Sequence, residues 1–286
     1  YSYTAMIPSI LPSTGPIGVF DSGYGGLTIL DKIRGLMPEY DYIYLGDSAR
    51  CPYGPRSFEV VYEFTLQAVS KLFELGCPLV ILACNTASAK ALRTIQQINL
   101  PVIDATRRVL GVIRPTAECI GEITRSRHVG ILATAGTIKS ESYLLEIHKL
   151  SPDIVVTGEA CPMWVSLVEN NEYQSEGADY FVKQHINRLL DKDPMIDTII
   201  LGCTHYPLLL DKIRQFTPGH IRIIAQGEYV ARSLQDYLNR HPEMDARCEK
   251  GGKCRFLTTE SENKFEESAS IFLGRQDIKV ESIALE

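Results

Sequence analysis

Ile81-Leu82-Ala83-Cys84-Asn85-Thr86 and Ile200-Leu201-Gly202-Cys203-Thr204-His205 carry nearly the same pattern twice in one chain. Each closes an apolar run, 79–83 and 198–202, with a cysteine followed by small polar residues. Short continuous apolar runs bounded by polar residues predict strands buried on both faces, as in a parallel sheet. In open α/β sheets, ligands sit at the carboxyl ends of such strands. Two thiols in matching places, one per half, point to a site with a cysteine on each side of one small molecule.

Outward from these runs, strands and helices alternate. Residues 17–20 predict a strand, and 25–37 a helix with Leu27, Leu30, Ile33 and Met37 at helical spacing and Pro38 as its stop. Residues 42–45 predict the next strand, and Ser57 caps a helix that ends at Gly76. The strand 79–83 is followed by a helix, 87–98, and a short strand, 101–103. The theme then restarts. Residues 129–132 resemble 17–20, and 136–150 resemble the first helix. Strands follow at 154–157 and 198–201 with a helix, 177–190, between them, and Pro207 stands where a helix often begins. Last come a strand at 221–225, a helix at 228–238, a polar loop to Gly252, and strands 255–258 and 278–283 flanking a helix, 261–273. Gly18 and Gly130 precede Cys84 and Cys203 by similar spacings, which supports two copies of one doubly wound unit. The βα alternation favours mainly parallel sheets in an α/β fold.

A chain of 286 residues can hold two modest domains, and 45% hydrophobic with 22% charged residues is ordinary for a globular protein. The net charge of −6 leaves no basic stripe to neutralise phosphates, so no nucleic-acid partner is expected. The sequence has no apolar run long enough for a membrane span. Residues 1–16, with Pro8, Pro12 and Pro16 and no basic segment, predict a loose N-terminal arm and not a secretory signal. Eight cysteines in a chain this long, two of them ending buried strands, predict reduced thiols. Cys77 and Cys119 read as small core hydrophobes. Cys248 and Cys254 lack a second pair for a metal.

Asp21-Ser22-Gly23-Tyr24-Gly25-Gly26 lies between the first strand and helix, where glycines permit a tight turn and helix amides can hold an anion. It lacks the Walker lysine and the full Gly-x-Gly-x-x-Gly spacing, so a phosphate loop is disfavoured against a plain βα turn or a functional Asp21 and Ser22. The loop 46–55, with Asp47, Pro52, Tyr53 and Gly54, would bring the Tyr53 backbone and phenol to the same sheet edge. At Cys84 and Cys203 a thiolate is a strong base or nucleophile, and a helix starting just after each thiol would lower its pKa. His205 could relay a proton, while Asn85, Thr86 and Thr204 are suited to binding carboxylates. Three alternatives compete. Both cysteines could be core residues. Cys84, Cys203 and His205 could bind zinc, although no dense ligand spacing supports it. A cysteine phosphatase would need an arginine six residues on, where Lys90 and Leu209 stand. Glu169, after an apolar helical run, is a solvated helix-end charge unless it meets His205.

Asp21-Ser22-Gly23 with Gly25-Gly26-Leu27, Gly46-Asp47 with Pro52-Tyr53-Gly54-Pro55, Cys84-Asn85-Thr86-Ala87-Ser88, Cys161-Pro162 with Val168-Glu169, and Gly202-Cys203-Thr204-His205-Tyr206-Pro207 together resemble glutamate racemase, in that family's order, over roughly residues 17 to 240. The resemblance implies two pseudo-symmetric doubly wound α/β domains facing one another, with the active site in the cleft between them. One would hold 17–105 plus 222–286 and the other 106–221. It implies a racemase that needs no cofactor and no metal, with Cys84 and Cys203 as acid/base thiols, Asp21 assisting Cys84, and Glu169 and His205 assisting Cys203. Asp21, Ser22, Tyr53, Gly54, Asn85, Thr86, Thr204 and His205 would hold glutamate. The family further implies a homodimer in a bacterial cytoplasm that supplies D-glutamate for peptidoglycan. Aspartate racemase and a non-catalytic amino-acid-binding protein are the two rival readings.

Overall fold

The computed structural model describes residues 13–274 and 278–286. Among the described residues, ten strands form two sheets. They are β1 (Ile17–Asp21), β2 (Tyr42–Gly46), β3 (Leu79–Leu82), β4 (Arg108–Gly111), β5 (His128–Ala133), β6 (Val155–Ala160), β7 (Thr198–Gly202), β8 (Arg222–Ala225), β9 (Cys254–Thr258) and β10 (Val280–Ser282). One sheet has the order β10-β9-β2-β1-β3-β4 and the other β6-β5-β7-β8. Every strand pair is parallel. The fold is therefore α/β, with two parallel sheets.

The central strands β1, β2, β3 and β7 are buried along their whole length, because apolar side chains on both faces meet covering helices. This is why 79–83 and 198–202 read as unbroken apolar runs. The edge strands β4 and β8 begin with exposed Arg108 and Arg222, which blunt further pairing. The orders β2-β1-β3-β4 and β6-β5-β7-β8 are one topology written twice. In each, the chain goes to one side of the first strand and returns to its other side. That reversal opens a crevice beyond β1 and β3 in one sheet and beyond β5 and β7 in the other. Cys84 follows β3 and Cys203 follows β7.

Some elements differ from the sequence expectation. Residues 101–103 are helical, inside Leu100–Ile103, and Val102 is 85% exposed. The strand is instead β4, where Val109 and Leu110 follow two arginines. Arg107 is used locally, donating to the carbonyls of Phe73 and Cys77 at 2.7 and 2.9 Å. The expected helix 136–150 is broken into Ala135–Ser140 and Ser142–Leu150 by Glu141, whose φ of 56° lies in the left-handed region. Sheet pairing also crosses the two expected domain boundaries: β4 pairs with β3, and β8 with β7. The chain passes between sheets after β4 and again after β8, near Val112 and Gln226. Of the expected arm, residues 1–12 lie outside the described residues. Gly15 is docked: its N–H donates to Arg247 O, and its carbonyl accepts from Glu249 N, both at 2.9 Å.

Burial sets an alkaline limit on stability. It pushes the thiols of Cys77, Cys84 and Cys248 from 9.0 up to about 12. Between those values the folded chain keeps protons that the unfolded chain has lost, so stability falls as pH rises. Full stability from this source is present below pH 9 and decreases progressively towards pH 12. Urea unfolding should show a loss of about 1–2 kcal/mol per thiol by pH 10.5 relative to pH 8. An unchanged urea midpoint over that range would contradict it.

Candidate active site

The two crevices face each other, and the expected residues meet there. Ser22, Tyr53, Gly54, Cys84, Asn85, Thr86, Cys203, Thr204 and His205 line one cavity of about 20 Å³. Asp21 lies beside it at the end of β1, fully buried. Its Oδ2 accepts the Gly23 N–H at 3.1 Å, and its Oδ1 is 3.4 Å from Thr204 Oγ1, from the opposite half. The halves approach so closely that a Cβ at Gly25 would sit 2.3 Å from Thr204 Oγ1 and 2.7 Å from His205 Nδ1. Only glycine fits there.

Cys84 caps the helix Asn85–Lys90, accepting the Ala87 N–H at 3.4 Å, and lies 3.5 Å from Ser22 Oγ. Burial raises its pKa, and the Asp21 charge adds to that, while Ser22 and the Ala87 amide oppose them. Burial therefore outweighs the expected lowering by a helix N-terminus and favours the protonated thiol in the closed site. Cys203 has no helix directly behind it; a turn leads into the short helix Tyr206–Leu209. Its neighbour is His205, with Nδ1 3.9 Å from the sulfur. The other ring nitrogen, Nε2, is hydrogen-bonded to Glu169 Oε1. Burial works against a charged His205, but Cys203 and Glu169 outweigh it and raise its pKa well above the ordinary value. Glu169 ends the helix Trp164–Glu169 and does meet His205, the condition for a role at this site. Burial also raises the Asp21 pKa, with His205 pulling the other way.

Two expected binding residues are otherwise engaged. The Tyr53 phenol hydrogen-bonds Asp47 and packs on Phe20 and Phe64, leaving the loop's backbone at the cavity. The Asn85 side chain forms a reciprocal pair with Gln226: Nδ2 donates to Gln226 Oε1 at 2.8 Å, and Oδ1 accepts from Gln226 Nε2 at 3.2 Å. Tyr143 OH also bonds Asn85 Oδ1, and Gln226 Nε2 reaches Thr116 Oγ1 at 3.0 Å. This buried cluster ties the turn after Cys84 to both segments where the chain changes sheets.

Thr134, Cys51, Tyr143 and Gln226 were not singled out by sequence. Thr134 follows β5 as Ser22 follows β1, and its Oγ1 is 2.9 Å from Thr86 Oγ1. The internal repeat carried that signal. Gln226 is one polar residue between a strand and a helix, and nothing local marks it. Cys51 Sγ lies 3.9 Å from Glu169 Oε1, and ligand atoms of Cys51, Glu169 and His205 fall within 4.8 Å of one another. Sequence had considered Cys84, Cys203 and His205 as the metal alternative. Chemically, the arrangement offers a helix-capping thiol on one side of a small cavity and a thiol beside a histidine–carboxylate pair on the other.

Residues 28–234 match the Asp/Glu/Hydantoin racemase family. The chain is similar to a glutamate racemase of Ruegeria sp. (strain TM1040), 38% identical over 270 residues that span 91% of this chain and 97% of that protein. It is similar in structure to a glutamate racemase isoform from Bacillus anthracis, with a TM-score of 0.85 and 36% identity, covering 95% of this chain and 98% of that one. A glutamate racemase from Francisella tularensis, solved in complex with D-glutamate, gives a TM-score of 0.83 at 31% identity, covering 96% and 98%. The chain therefore belongs to the Asp/Glu/Hydantoin racemase family and, within it, to the glutamate racemases, which are amino-acid racemases.

Proposed function

We propose that this chain interconverts L- and D-glutamate without a cofactor, with Cys84 and Cys203 as the bases on opposite faces of the α-carbon. The observation that carries the reading is the placement of the two thiols, one from each half, on one cavity. Inversion needs a proton removed from one face and another delivered to the other. With L-glutamate, Cys203 as thiolate takes the α-proton, steadied by the His205 cation and Glu169, while the Cys84 thiol delivers one. With D-glutamate the roles exchange, and Asp21 assists Cys84. Ser22, together with the backbone of Tyr53–Gly54 and of Asn85, Thr86 and Thr204, would hold the substrate and stabilise the charge that develops on its carboxylate in a poorly hydrated site.

The cavity of about 20 Å³ has room for about one water and not for a dicarboxylic amino acid. Substrate entry thus requires the halves to part and close again. We place the two domains around the two sheets, which moves the expected boundaries of 17–105 plus 222–286 and 106–221 to the passages near Val112 and Gln226, the hinges. Turnover should follow a bell-shaped pH profile, because one thiol must be ionised while the other is protonated. A flat profile across the thiol range would contradict the scheme.

A bacterial cytoplasm, a role in supplying D-glutamate to peptidoglycan and a homodimeric state complete the proposal by family likeness. Among the described residues no helix is long and apolar enough to cross a membrane. Aspartate is the competing substrate. It differs by one methylene, worth about 1–3 kcal/mol in a pocket. The test is incubation of the reduced protein with D-glutamate in D₂O, following the α-proton by NMR together with optical rotation. Deuterium entering Cα as rotation decays supports the reading. No exchange with glutamate but exchange with aspartate would move the substrate assignment. Silence with both would leave a binding protein.

A further inference from the structure

We propose that Cys51, Glu169 and His205 form an inhibitory site for Zn²⁺, or a metal ion of similar softness. The three ligand atoms come from three separate segments and lie within 4.8 Å of one another. The Cys51 Sγ to Glu169 Oε1 separation of 3.9 Å is close to the edge of a tetrahedral zinc site, roughly 3.6 Å for ordinary Zn–S and Zn–O lengths. His205 Nε2 and Glu169 Oε1 now share a hydrogen bond and must part by about 1 Å to admit the ion. Glu169 can yield, since it ends a short helix and keeps 20% of its side chain exposed.

Charge and ligand type agree. A thiolate and a carboxylate cancel the two positive charges of the ion, so the ion with its ligands carries no net charge. Sulfur, imidazole nitrogen and carboxylate oxygen suit zinc, whereas magnesium and calcium prefer oxygen sets. Binding exchanges the ion for two protons, one from Cys51 Sγ and one held between His205 Nε2 and Glu169 Oε1, both released to water. Cys51 is assigned no proton transfer in the reaction. Zinc there occupies the histidine that faces Cys203, so racemisation stops; this consequence rests on the function proposed above, whereas the binding does not.

The test uses the full chain, reduced and stripped with a chelator, then equilibrated with ZnCl₂, desalted and assayed for retained metal. A parallel sample takes Co²⁺ and is read for a thiolate-to-cobalt absorption band. The expected result is about one zinc per chain, the cobalt band, and chelator-reversible loss of racemisation. Cys51→Ser and Glu169→Gln should each weaken retention by at least about tenfold, while Cys119→Ser, from a helix elsewhere, retains it. No retained zinc, or equal retention in wild type and both site variants, overturns the proposal. Should Cys51→Ser misfold by circular dichroism, Glu169→Gln and the wild-type cobalt band decide, and absence of the band overturns it. Zinc uptake that depends on Cys51 in a protein that does not racemise glutamate would keep the metal site and remove the function.

Discussion

Cys84→Ser and Cys203→Ser are each expected to lower racemisation by about 10²–10⁴-fold, the usual worth of a positioned proton-transfer group. Serine keeps the shape but is far too weak an acid to serve either role at neutral pH. Both thiols are buried and free of disulfides, so the fold should persist. The two losses should differ in kind. In Cys84→Ser, Cys203 can still take the L-face proton and return deuterium from solvent to the same face. L-glutamate would then exchange its α-proton in D₂O without inverting. Cys203→Ser should do the same with D-glutamate only. Exchange of both enantiomers by one variant would mean that a single group serves both faces.

Gln226→Leu should cost about 2–4 kcal/mol in urea unfolding, because the Asn85 amide and the Thr116 hydroxyl lose a buried partner. Turnover should fall as well, since Asn85 adjoins Cys84 and depends on that pair for its position. The double variant Asn85→Leu with Gln226→Leu removes both partners, and its stability loss should be clearly less than the sum of the single losses. Additive losses would show that the amides are not coupled. This cluster stands where the chain changes sheets at Val112 and Gln226, so the prediction also probes how the halves are held together.

Much of this architecture was legible because burial leaves a plain trace in sequence. β3 and β7 are covered on both faces, and their apolar runs stand out. The repeat of those runs foretold the repeated topology. Ser57 was legible too, its hydroxyl accepting the Val60 N–H at 3.3 Å. β4 was not, because an edge strand needs little apolar surface and Arg107 and Arg108 disguise it. The break at Glu141 was hidden for another reason: its left-handed backbone occurs in a residue that normally favours helix. At the site, residues next to strand ends could be found, since topology dictates where ligands collect. Long-range partners could not. Asn85 and Gln226 are 141 positions apart, and Cys51 and Glu169 118. Nor does local sequence reveal that burial and Asp21 outweigh a helix N-terminus at Cys84.

The most direct test of two bases on opposite faces is where solvent deuterium appears at low conversion. D-glutamate would be incubated with the wild-type protein in D₂O, stopped early, and both enantiomers separated and weighed by mass spectrometry. The two-thiol account predicts L-glutamate carrying deuterium at Cα, while the recovered D-glutamate keeps most of its original hydrogen. Product that retains the substrate's hydrogen, or equal labelling of both enantiomers from the start, would contradict it.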